Sequence, residues 1–204
     1  MFFNFNYSKD TVNNHDLKFW LLILVVFILS CSTDHQSSDS KSELRSHFRN
    51  LSITEVKMMI IEKGLFDKYW NKSGNFENHF ELQEIKNDKV IVDHATGLIW
   101  HQSGSEDFLN LTEASEWLNN LNRNNYAEIN TWRLPTLEEA LSLMENQKMN
   151  GNFYIDPVFD TWQWCILTGD SLDLTKSWLV AFSGRVDWFD STVRINYVRP
   201  VSSF

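Results

Sequence analysis

The segment that most constrains the fold of this chain is Asn130–Leu143, with the sequence NTWRLPTLEEALSL. Pro135 disfavours the helical conformation at the residue before it, so the first half of the segment is expected to be extended. Thr136 and Glu139 have the spacing of a capping box, in which each side chain bonds the backbone of the other at a helix start. The segment therefore predicts an extended link followed by a helix over residues 137–146. Four apolar residues at helical spacing form its expected buried face: Leu137, Ala140, Leu141 and Met144.

Two further helices are predicted by the same kind of pattern. Ser52 and Glu55 form another capping box, which predicts a helix over residues 53–63. A third helix is predicted over residues 112–122, where apolar residues recur every three or four positions. Either of two polar residues can cap this third helix, Asn110 or Thr112.

Two-residue alternation predicts strands on both sides of the two later helices. A hairpin is predicted from residues 80–85 and 89–93, with a turn at Asn87-Asp88. The segment Val92–Trp100, VDHATGLIW, is typical of a strand, a turn and a second strand. In the C-terminal part, Ser183-Gly184 is expected to be a hairpin turn. The strands expected there cover residues 164–168, 177–182, 186–189 and 197–201. This order of elements predicts the α+β fold class.

The N-terminal residues predict export and lipidation. Trp20–Leu29 is a run of ten apolar residues, whereas a helix needs about 20 to cross a bilayer. With Lys18 just before it, the run is typical of the apolar region of a signal peptide. It ends in Ile28-Leu29-Ser30-Cys31, which is typical of a lipobox, whose cysteine is acylated and becomes the new N-terminus. We therefore predict that residues 1–30 are a signal peptide and that Cys31 anchors the chain in a bilayer.

The segment after the cysteine is expected to be a flexible tether. Ser32–Ser46 is polar and Ser-rich, with Leu44 as its single aliphatic residue, so it cannot bury enough apolar surface to fold alone. We therefore assign residues 31–50 to the lipidated Cys31 and a tether. In a Gram-negative envelope, Ser32 in place of an aspartate would direct the protein to the outer membrane. The alternative is an uncleaved signal anchor, or a buried helix followed by a loop.

Charge and aromatic content limit the classes of partner. The net charge is −9, and the sequence contains no stripe of basic residues. An acidic chain repels phosphate backbones, so nucleic-acid binding is disfavoured. The nine Trp and 15 Phe supply enough apolar area for a large core. Core packing is the expected role of most of these rings, with stacking on a sugar or peptide as the alternative for a few.

Three segments resemble the signatures of a known family. They are Asp93–Trp100 (DHATGLIW), Asn130–Leu143 and the closing Tyr197–Val201 (YVRPV). Together they resemble the Lcl C-terminal domain family, known from a collagen-like bacterial surface adhesin and from bacterial lipoproteins. The resemblance implies such a domain over residues 89–204. The stretch before it resembles a pre-domain of related lipoproteins, so residues 51–88 are assigned to a helix-plus-hairpin pre-domain.

The resemblance also implies a fold and roles for the motif residues. Lcl C-terminal domains are similar to C-type-lectin and sulfatase-modifying-enzyme domains. In that fold two helices pack on a small antiparallel sheet, the first and last strands pair, and long loops carry any binding site. Trp132 is expected to fill the core and Arg133 to bridge carbonyls or an acid, with an anion or sugar contact as the alternative. Pro135 is expected to precede the helix cap. Trp100 is the last residue of Asp93–Trp100, another segment that carries the resemblance, and a structural role is expected for it as well.

The sequence indicates no catalytic residue, cofactor or metal site. The sulfatase-modifying relatives use reactive cysteines, but Cys165 is alone if Cys31 is lipidated, and its apolar surroundings predict a buried thiol. The Glu-Pro-Asn and Trp-Asn-Asp motifs of calcium-dependent lectins do not occur in the sequence. His94 and His101 lie close together, but not at the spacing of zinc ligands.

The remaining candidate for ligand binding is Arg185–Arg194, RVDWFDSTVR. The indole ring of Trp188 could stack on a ligand, and the charged side chains near it could form hydrogen bonds with the same ligand. The candidate ligand-binding residues are Arg185, Asp187, Trp188 and Arg194. The alternative is an ordinary strand, with Val186 and Trp188 on one face and Asp187 and Phe189 on the other.

These observations predict a bacterial envelope lipoprotein that displays a non-catalytic domain for ligand binding or adhesion. Its expected partners are the lipid bilayer, through acylated Cys31, and a polysaccharide or envelope protein. One alternative is an envelope enzyme of the sulfatase-modifying type, which would need a cluster of acids, histidine and Cys165 in one pocket. The other is a purely structural envelope component, without a pocket or an exposed aromatic patch.

Overall fold

The computed structural model describes residues 43–203, which form an α+β fold as predicted. The predicted signal peptide, Cys31 and the first part of the predicted tether lie outside these residues. The helices of the described part are α1 (Ile53–Glu62), α2 (Leu111–Arg123) and α3 (Leu137–Ser142), with a 3-10 turn at Tyr126–Glu128. Its strands are β1 (Phe80–Ile85), β2 (Asp88–Asp93), β3 (Leu98–His101), β4 (Cys165–Ser171), β5 (Lys176–Ala181), β6 (Arg185–Asp190) and β7 (Val201–Ser203).

The strands form two antiparallel sheets. One has the order β1-β2-β3-β7, and the other has the order β4-β5-β6. The predicted hairpins β1–β2, β2–β3 and β5–β6 are confirmed by their pairing. The closing strand differs from the expectation, because β7 begins only at Val201 and pairs with β3, not with the first strand. Tyr197 instead bonds β4 in the other sheet, donating to the Cys165 carbonyl at 3.1 Å and accepting from Leu167 N–H at 2.9 Å.

Two apolar cores lie on opposite faces of the three-stranded sheet. Alternate residues of β5 divide between them, since side chains of a strand alternate across a sheet. Trp178 and Val180 belong to a core with residues of α1 and α3, called here the α1–α3 core. Leu179 and Ala181 belong to a core with residues of α2, called here the α2 core. The sheet is therefore buried on both faces.

The two predicted capping boxes are confirmed, and α2 begins with a third box that was not predicted. Ser52–Glu55, Asn110–Glu113 and Thr136–Glu139 each show both reciprocal hydrogen bonds, and Asn110 is the cap of α2. The predicted end of α3 was wrong, because the helix stops at Ser142 instead of residue 146. Glu145 N–H donates to the Tyr154 carbonyl at 3.1 Å instead of to the preceding helical turn. A bond to the loop that follows the helix thus replaces its next turn.

The turn between β1 and β2 lies one residue earlier than predicted. Lys86 and Asn87 occupy it, with φ angles of 52° and 72°, and Ile85 pairs with Asp88. A two-residue hairpin loop of this kind needs positive φ at both central residues, because its twist then matches that of the strands. Asp88 is therefore the first residue of β2.

The structure also describes the end of the predicted tether. Leu44 packs against the α1–α3 core, and Leu51 N–H donates to the Ser171 carbonyl at 2.8 Å. Residues 43–50 thus lie along the domain. Within the described part of the chain, no helix is long and apolar enough to cross a membrane.

Candidate functional site

Trp132 is buried, Arg133 is partly buried, and both hold neighbouring segments together. Trp132 is 3% exposed, and its indole N–H donates to the Tyr126 carbonyl at 3.1 Å. The amide of Asn122 accepts from Trp132 N–H at 2.8 Å and donates to its carbonyl at 2.9 Å. The Arg133 guanidinium bonds both carboxylate oxygens of Glu139 at 2.8 and 2.7 Å. These contacts fix the entry of α3, and neither residue belongs to the lining of the cleft described below.

The other two motif residues are also interior. Trp100 is fully buried in the α1–α3 core, and its indole N–H has no hydrogen-bond partner among residues 43–203. Pro135 is buried, and its carbonyl accepts from Gly169 N–H at 2.9 Å. The link before α3 is thereby attached to β4.

The residues predicted for ligand binding, on β6 and just after it, do not converge. Arg185 and Asp187 form an ion pair at 3.0 Å, whereas Trp188 lies on the opposite face of the strand by alternation. Trp188 is 43% exposed and contacts Lys176, whose Nζ lies 4.8 Å from the ring centroid. Arg194 pairs with Glu113 of α2 at 2.9 Å. The structure therefore divides this set among three places.

A cleft of about 740 Å³ opens elsewhere, between two loops and α2. One wall is the loop after β3, the second is the segment before β4, and Trp117 of α2 contributes to the lining. The residues that line it are His101, Ser103, Gly104, Ser105, Glu106, Asp107, Leu109, Trp117, Asp160, Trp162 and Gln163. This volume lies within the usual range for small-ligand sites.

Hydrogen bonds between the two loops give the cleft a fixed shape. Gln163 Nε2 donates to the Ser105 carbonyl at 2.9 Å, and Trp162 Nε1 donates to the Glu106 carbonyl at 3.4 Å. Ser105 in turn bonds Val198, with its N–H donating at 2.7 Å and its hydroxyl accepting at 2.9 Å. Gly104 has a φ of 106°, and a Cβ there would lie 2.3 Å from the Val198 carbonyl oxygen. The close approach of the loop to Val198 therefore requires glycine.

Arg199 lies fully buried and joins both walls from within. Its guanidinium donates to the Asp160 carbonyl at 2.8 Å and to the Gln102 carbonyl. It also lies over the Phe159 ring, 5.0 Å from the centroid. Burial lowers the pKa of Arg199 to about 9, so the group remains charged at neutral pH. The arginine of the YVRPV motif thus positions the cleft without lining it.

His101 forms part of the cleft lining as a neutral ring. Its Nδ1 accepts from Gly104 N–H at 2.9 Å, and the ring stacks on Tyr126 at a centroid distance of 4.4 Å. Burial, together with the charge of Arg199, lowers the pKa of His101 to about 4. Because Nδ1 is the acceptor, Nε2 carries the hydrogen in the neutral ring.

The cleft presents groups that a ligand can satisfy. Gln163 is 3% exposed, and its Oε1 has no hydrogen-bond partner among the described residues. Trp162, beside it, is 69% exposed. Three carboxylates complete the lining, and within residues 43–203 none of them forms an ion pair: Glu106, Asp107 and Asp160. Such a surface can bind a hydrogen-bonding ligand with an apolar face.

The cysteine of the domain lies outside the cleft lining. Cys165 is 3% exposed, and its thiol donates to Asn196 Oδ1 at 3.1 Å. Burial raises the pKa of Cys165 to about 12, so the reactive thiolate is disfavoured at neutral pH. Among the described residues, no group of three or more His, Cys, Asp or Glu side chains is placed to hold a metal ion.

Sequence reasoning missed the cleft because its two walls are far apart in the chain. The Gln163–Ser105 bond joins residues 58 positions apart, and residues 164–168 were predicted only as an apolar strand. A local signal was present, since tryptophans alternate with polar residues in Thr161-Trp162-Gln163-Trp164. Trp162 and Trp164 are 69% and 42% exposed, which core packing alone does not explain.

The comparison with protein families places the cleft within a known domain. The model of the Lcl C-terminal domain family matches residues 89–202, which is more than half of the chain. All the residues that line the cleft lie inside the match, whereas α1 and β1 precede it. No curated protein and no solved structure matches the chain.

Proposed function

This chain belongs to the Lcl C-terminal domain family, and from that premise we propose that it is a bacterial envelope lipoprotein whose domain binds a ligand without converting it. The ligand is a polysaccharide or an envelope protein, and it binds in the cleft between the β3 loop and the segment before β4. The protein is held at the membrane by acylated Cys31.

One observation carries the binding proposal. The cleft joins an exposed tryptophan, Trp162, to a buried amide oxygen without a partner in the described part of the chain, on Gln163. A buried acceptor that lacks a hydrogen bond costs about 1–3 kcal/mol. A ligand hydroxyl or ammonium that donates to it recovers part of that cost. An exposed ring at the same place offers apolar contact area that is otherwise left in water.

Two groups support binding over catalysis. His101 is the histidine of the cleft lining, and its low pKa of about 4 makes it a weak base at neutral pH. Cys165 is buried outside the lining, and the raised pKa of its thiol disfavours the nucleophilic form. The acids and the histidine line the same cleft, but Cys165, which an enzyme of the sulfatase-modifying type would need beside them, lies outside it.

The length of the N-terminal segment limits how far an anchored domain would lie from the membrane. The described chain begins at Glu43, whose carbonyl accepts from Lys63 Nζ at 2.7 Å beside α1. The eleven residues between Cys31 and Glu43 can span at most about 40 Å when fully extended. A lipid on Cys31 would therefore keep α1 within that distance of the bilayer.

A binding array of glycans and envelope polymers tests the proposed ligand binding, with the full chain purified in mild detergent. Saturable binding is expected and should be lost in Trp162→Ala. Trp188→Ala is the matched control, because Trp188 is also exposed but lies outside the cleft. Binding that depends on Trp188 instead would place the ligand on β6. A complete lack of binding to sugars and envelope proteins would refute the proposal.

The lipid anchor is tested separately with Cys31→Ser. Wild-type protein and the Cys165→Ser control are expected to fractionate with membranes and to incorporate a fatty-acid probe. The Cys31→Ser variant should lose the probe. Continued labelling of that variant would show that Cys31 is not the acylated residue.

A further inference from the structure

We propose that the cleft selects a ligand that carries protonated primary amines, and that this ligand is a saccharide with unacetylated amino groups. This inference rests on the proposed ligand-binding function and names the chemistry that the same cleft recognises. Three features of the cleft support it: the charge of the lining, the unpartnered amide oxygen of Gln163 and the exposed ring of Trp162.

The lining has a net negative charge. Glu106, Asp107 and Asp160 are all exposed in the cleft, and none has a basic partner within 4.0 Å among residues 43–203. No lysine or arginine belongs to the lining. A concave surface lined by one sign of charge focuses its field and attracts the opposite charge. The cleft therefore repels a polyanion and attracts a cation.

Two basic groups that bond residues beside the cleft do not cancel this charge. Arg199 is fully buried and is not part of the lining, although its charge partly offsets that of Asp160. Arg194 donates to the Phe108 carbonyl at 3.3 Å, beside the acidic loop, but its charge is paired with Glu113. Two of the three carboxylates thus remain uncompensated even when Arg199 is counted.

Gln163 supplies evidence that is independent of the carboxylates. Its Nε2 is held by the Ser105 carbonyl at 2.9 Å, which fixes the amide plane. The other end, Oε1, is an acceptor without a donor in the described residues. An ammonium or a hydroxyl can donate to it, whereas a carboxylate, a sulfate or an ether oxygen cannot. The amide therefore selects for the same class of ligand as the charge.

The exposed ring indicates a saccharide body rather than a bare ammonium. Trp162 is anchored through its indole N–H to the Glu106 carbonyl at 3.4 Å, so the ring is held beside an acidic residue. An indole face attracts a cation and packs against the apolar face of a sugar ring. A single lysine side chain would occupy only a small part of a cleft of about 740 Å³. An oligosaccharide can contact the ring, the amide and the carboxylates together.

Calorimetric titration of the full chain tests the inference with two matched ligands. One is a β-linked glucosamine oligomer, and the other is the fully N-acetylated oligomer of the same length. Both are titrated at pH 6, where the amines are protonated. The glucosamine oligomer is expected to bind at least about tenfold more tightly, because each charge-assisted hydrogen bond adds to the contacts that both ligands share. Its affinity should fall as the salt concentration rises.

Isosteric variants identify the groups responsible. Glu106→Gln, Asp107→Asn and Asp160→Asn should each weaken binding of the glucosamine oligomer by several-fold. The same variants should change binding of the acetylated oligomer much less. Glu84→Gln removes an equal charge from exposed Glu84 on β1, outside the cleft, and should leave both affinities unchanged.

Each of the other outcomes overturns the inference in a recognisable way. Equal binding of the two oligomers would leave the cleft as a sugar site and refute only the selection for amines. Binding of a lysine-rich peptide without binding of the glucosamine oligomer would refute the saccharide and leave a protein ligand. If neither oligomer, nor the peptide, nor any member of the array binds, the proposed function fails as well.

Discussion

At the scale of single residues, the interior of this protein depends on paired charges. The Arg133 guanidinium bonds Glu139, whose side chain is 1% exposed and also accepts from Thr136 N–H at 2.8 Å. Arg133→Ala would leave that carboxylate buried without its cation. Breaking a buried pair in this way lowers the free energy of unfolding by about 3–5 kcal/mol. Because the Arg133 side chain is 26% exposed, we expect a decrease near the lower end of this range. Chemical denaturation measures it.

A second substitution distinguishes pairing from packing. In Arg133→Ala combined with Glu139→Gln, the uncompensated charge is removed while the amide can still accept from Thr136. The double variant should be more stable than Arg133→Ala alone. If the losses of stability in Arg133→Ala and in Glu139→Gln alone simply add in the double variant, the ion pair is not the cause of the destabilisation.

His101 predicts how stability depends on pH. Its pKa is lowered to about 4 in the folded protein from an ordinary 6.5, so between these values the unfolded chain binds a proton that the folded one does not. Stability contributed by this group should therefore be constant above about pH 6.5 and fall as the pH drops toward 4. The full loss is up to about 3 kcal/mol. Urea denaturation at several pH values measures it.

His101→Asn should flatten this dependence, because Asn has an acceptor near the position of Nδ1 but does not titrate. His47→Asn removes an exposed histidine and serves as the control, for which the wild-type slope is expected. A steep slope that persists in His101→Asn would assign the acid sensitivity to other groups.

Sequence reasoning was more successful with single motifs than with the cleft. The residues of WRLPT interact mainly with neighbours up to about ten positions away, such as Glu139 and Asn122, so local spacing contains much of the information. The cleft joins Ser105 to Gln163 and Gln102 to Arg199. No sequence periodicity relates loops at that separation, so the contact between them could not be predicted and is visible only in the structure.

At the scale of the elements, local sequence determines where helices begin better than where they end. A capping box lies within four residues, and both predicted boxes are present, with a third at Asn110–Glu113 that was predicted only as a cap. The end of α3 depends instead on Tyr154, and the pairing of β7 depends on β3. The contacts of Tyr197 with β4 and of β7 with β3 join segments far apart in the chain, which explains why residues 197–201 were predicted as a single strand.

The β1–β2 turn predicts a stabilising substitution. Asn87 has a φ of 72°, a value that glycine adopts without steric cost and that is less favourable for residues with a side chain. Asn87→Gly should raise the free energy of unfolding by about 0.5 kcal/mol, because glycine is favoured at the second position of a two-residue hairpin turn with positive φ. The substitution leaves the neighbouring Lys86–Glu128 ion pair in place. Thermal unfolding followed by circular dichroism measures the change.

Asn124→Gly is the matched control for this turn. Asn124 follows α2 with a φ of −80°, an ordinary helical value at which glycine relieves no strain. The control should be neutral or destabilising, since glycine also increases the entropy of the unfolded chain. Equal stabilisation by both substitutions would contradict the explanation based on positive φ.

At the scale of the whole molecule, the described fold extends beyond the family match. Residues 89–202 contain the match, yet β1 pairs with β2 along its whole length, and Val56 and Ile60 of α1 belong to the α1–α3 core. The sequence separated residues 51–88 as a pre-domain because the resemblance changes there. The physical contacts cross that position, because an isolated β2 edge and the apolar face of α1 would otherwise be exposed.

Asp170 joins the N-terminal segment to this fold. Its carboxylate is fully buried and accepts from Arg45 at 2.9 and 2.7 Å. It also accepts from the backbone N–H of Arg49 at 2.6 Å and from that of Leu137, at the start of α3, at 2.7 Å. One side chain of β4 thus holds the incoming chain, the strand and the helix together.

Asp170→Asn should therefore release residues 43–50 before it unfolds the domain. The amide keeps the size of the carboxylate but lacks its charge, and its NH₂ group cannot accept, so at least two of the four bonds are lost. Trypsin should cleave after Arg45 and Arg49 faster than in the wild type, while cleavage within 53–203 changes little at first. Asp173→Asn, at an exposed aspartate in the adjoining β4–β5 loop, is the control. If the two variants are cleaved at the same rate, Asp170 is not what holds the N-terminal segment against the domain.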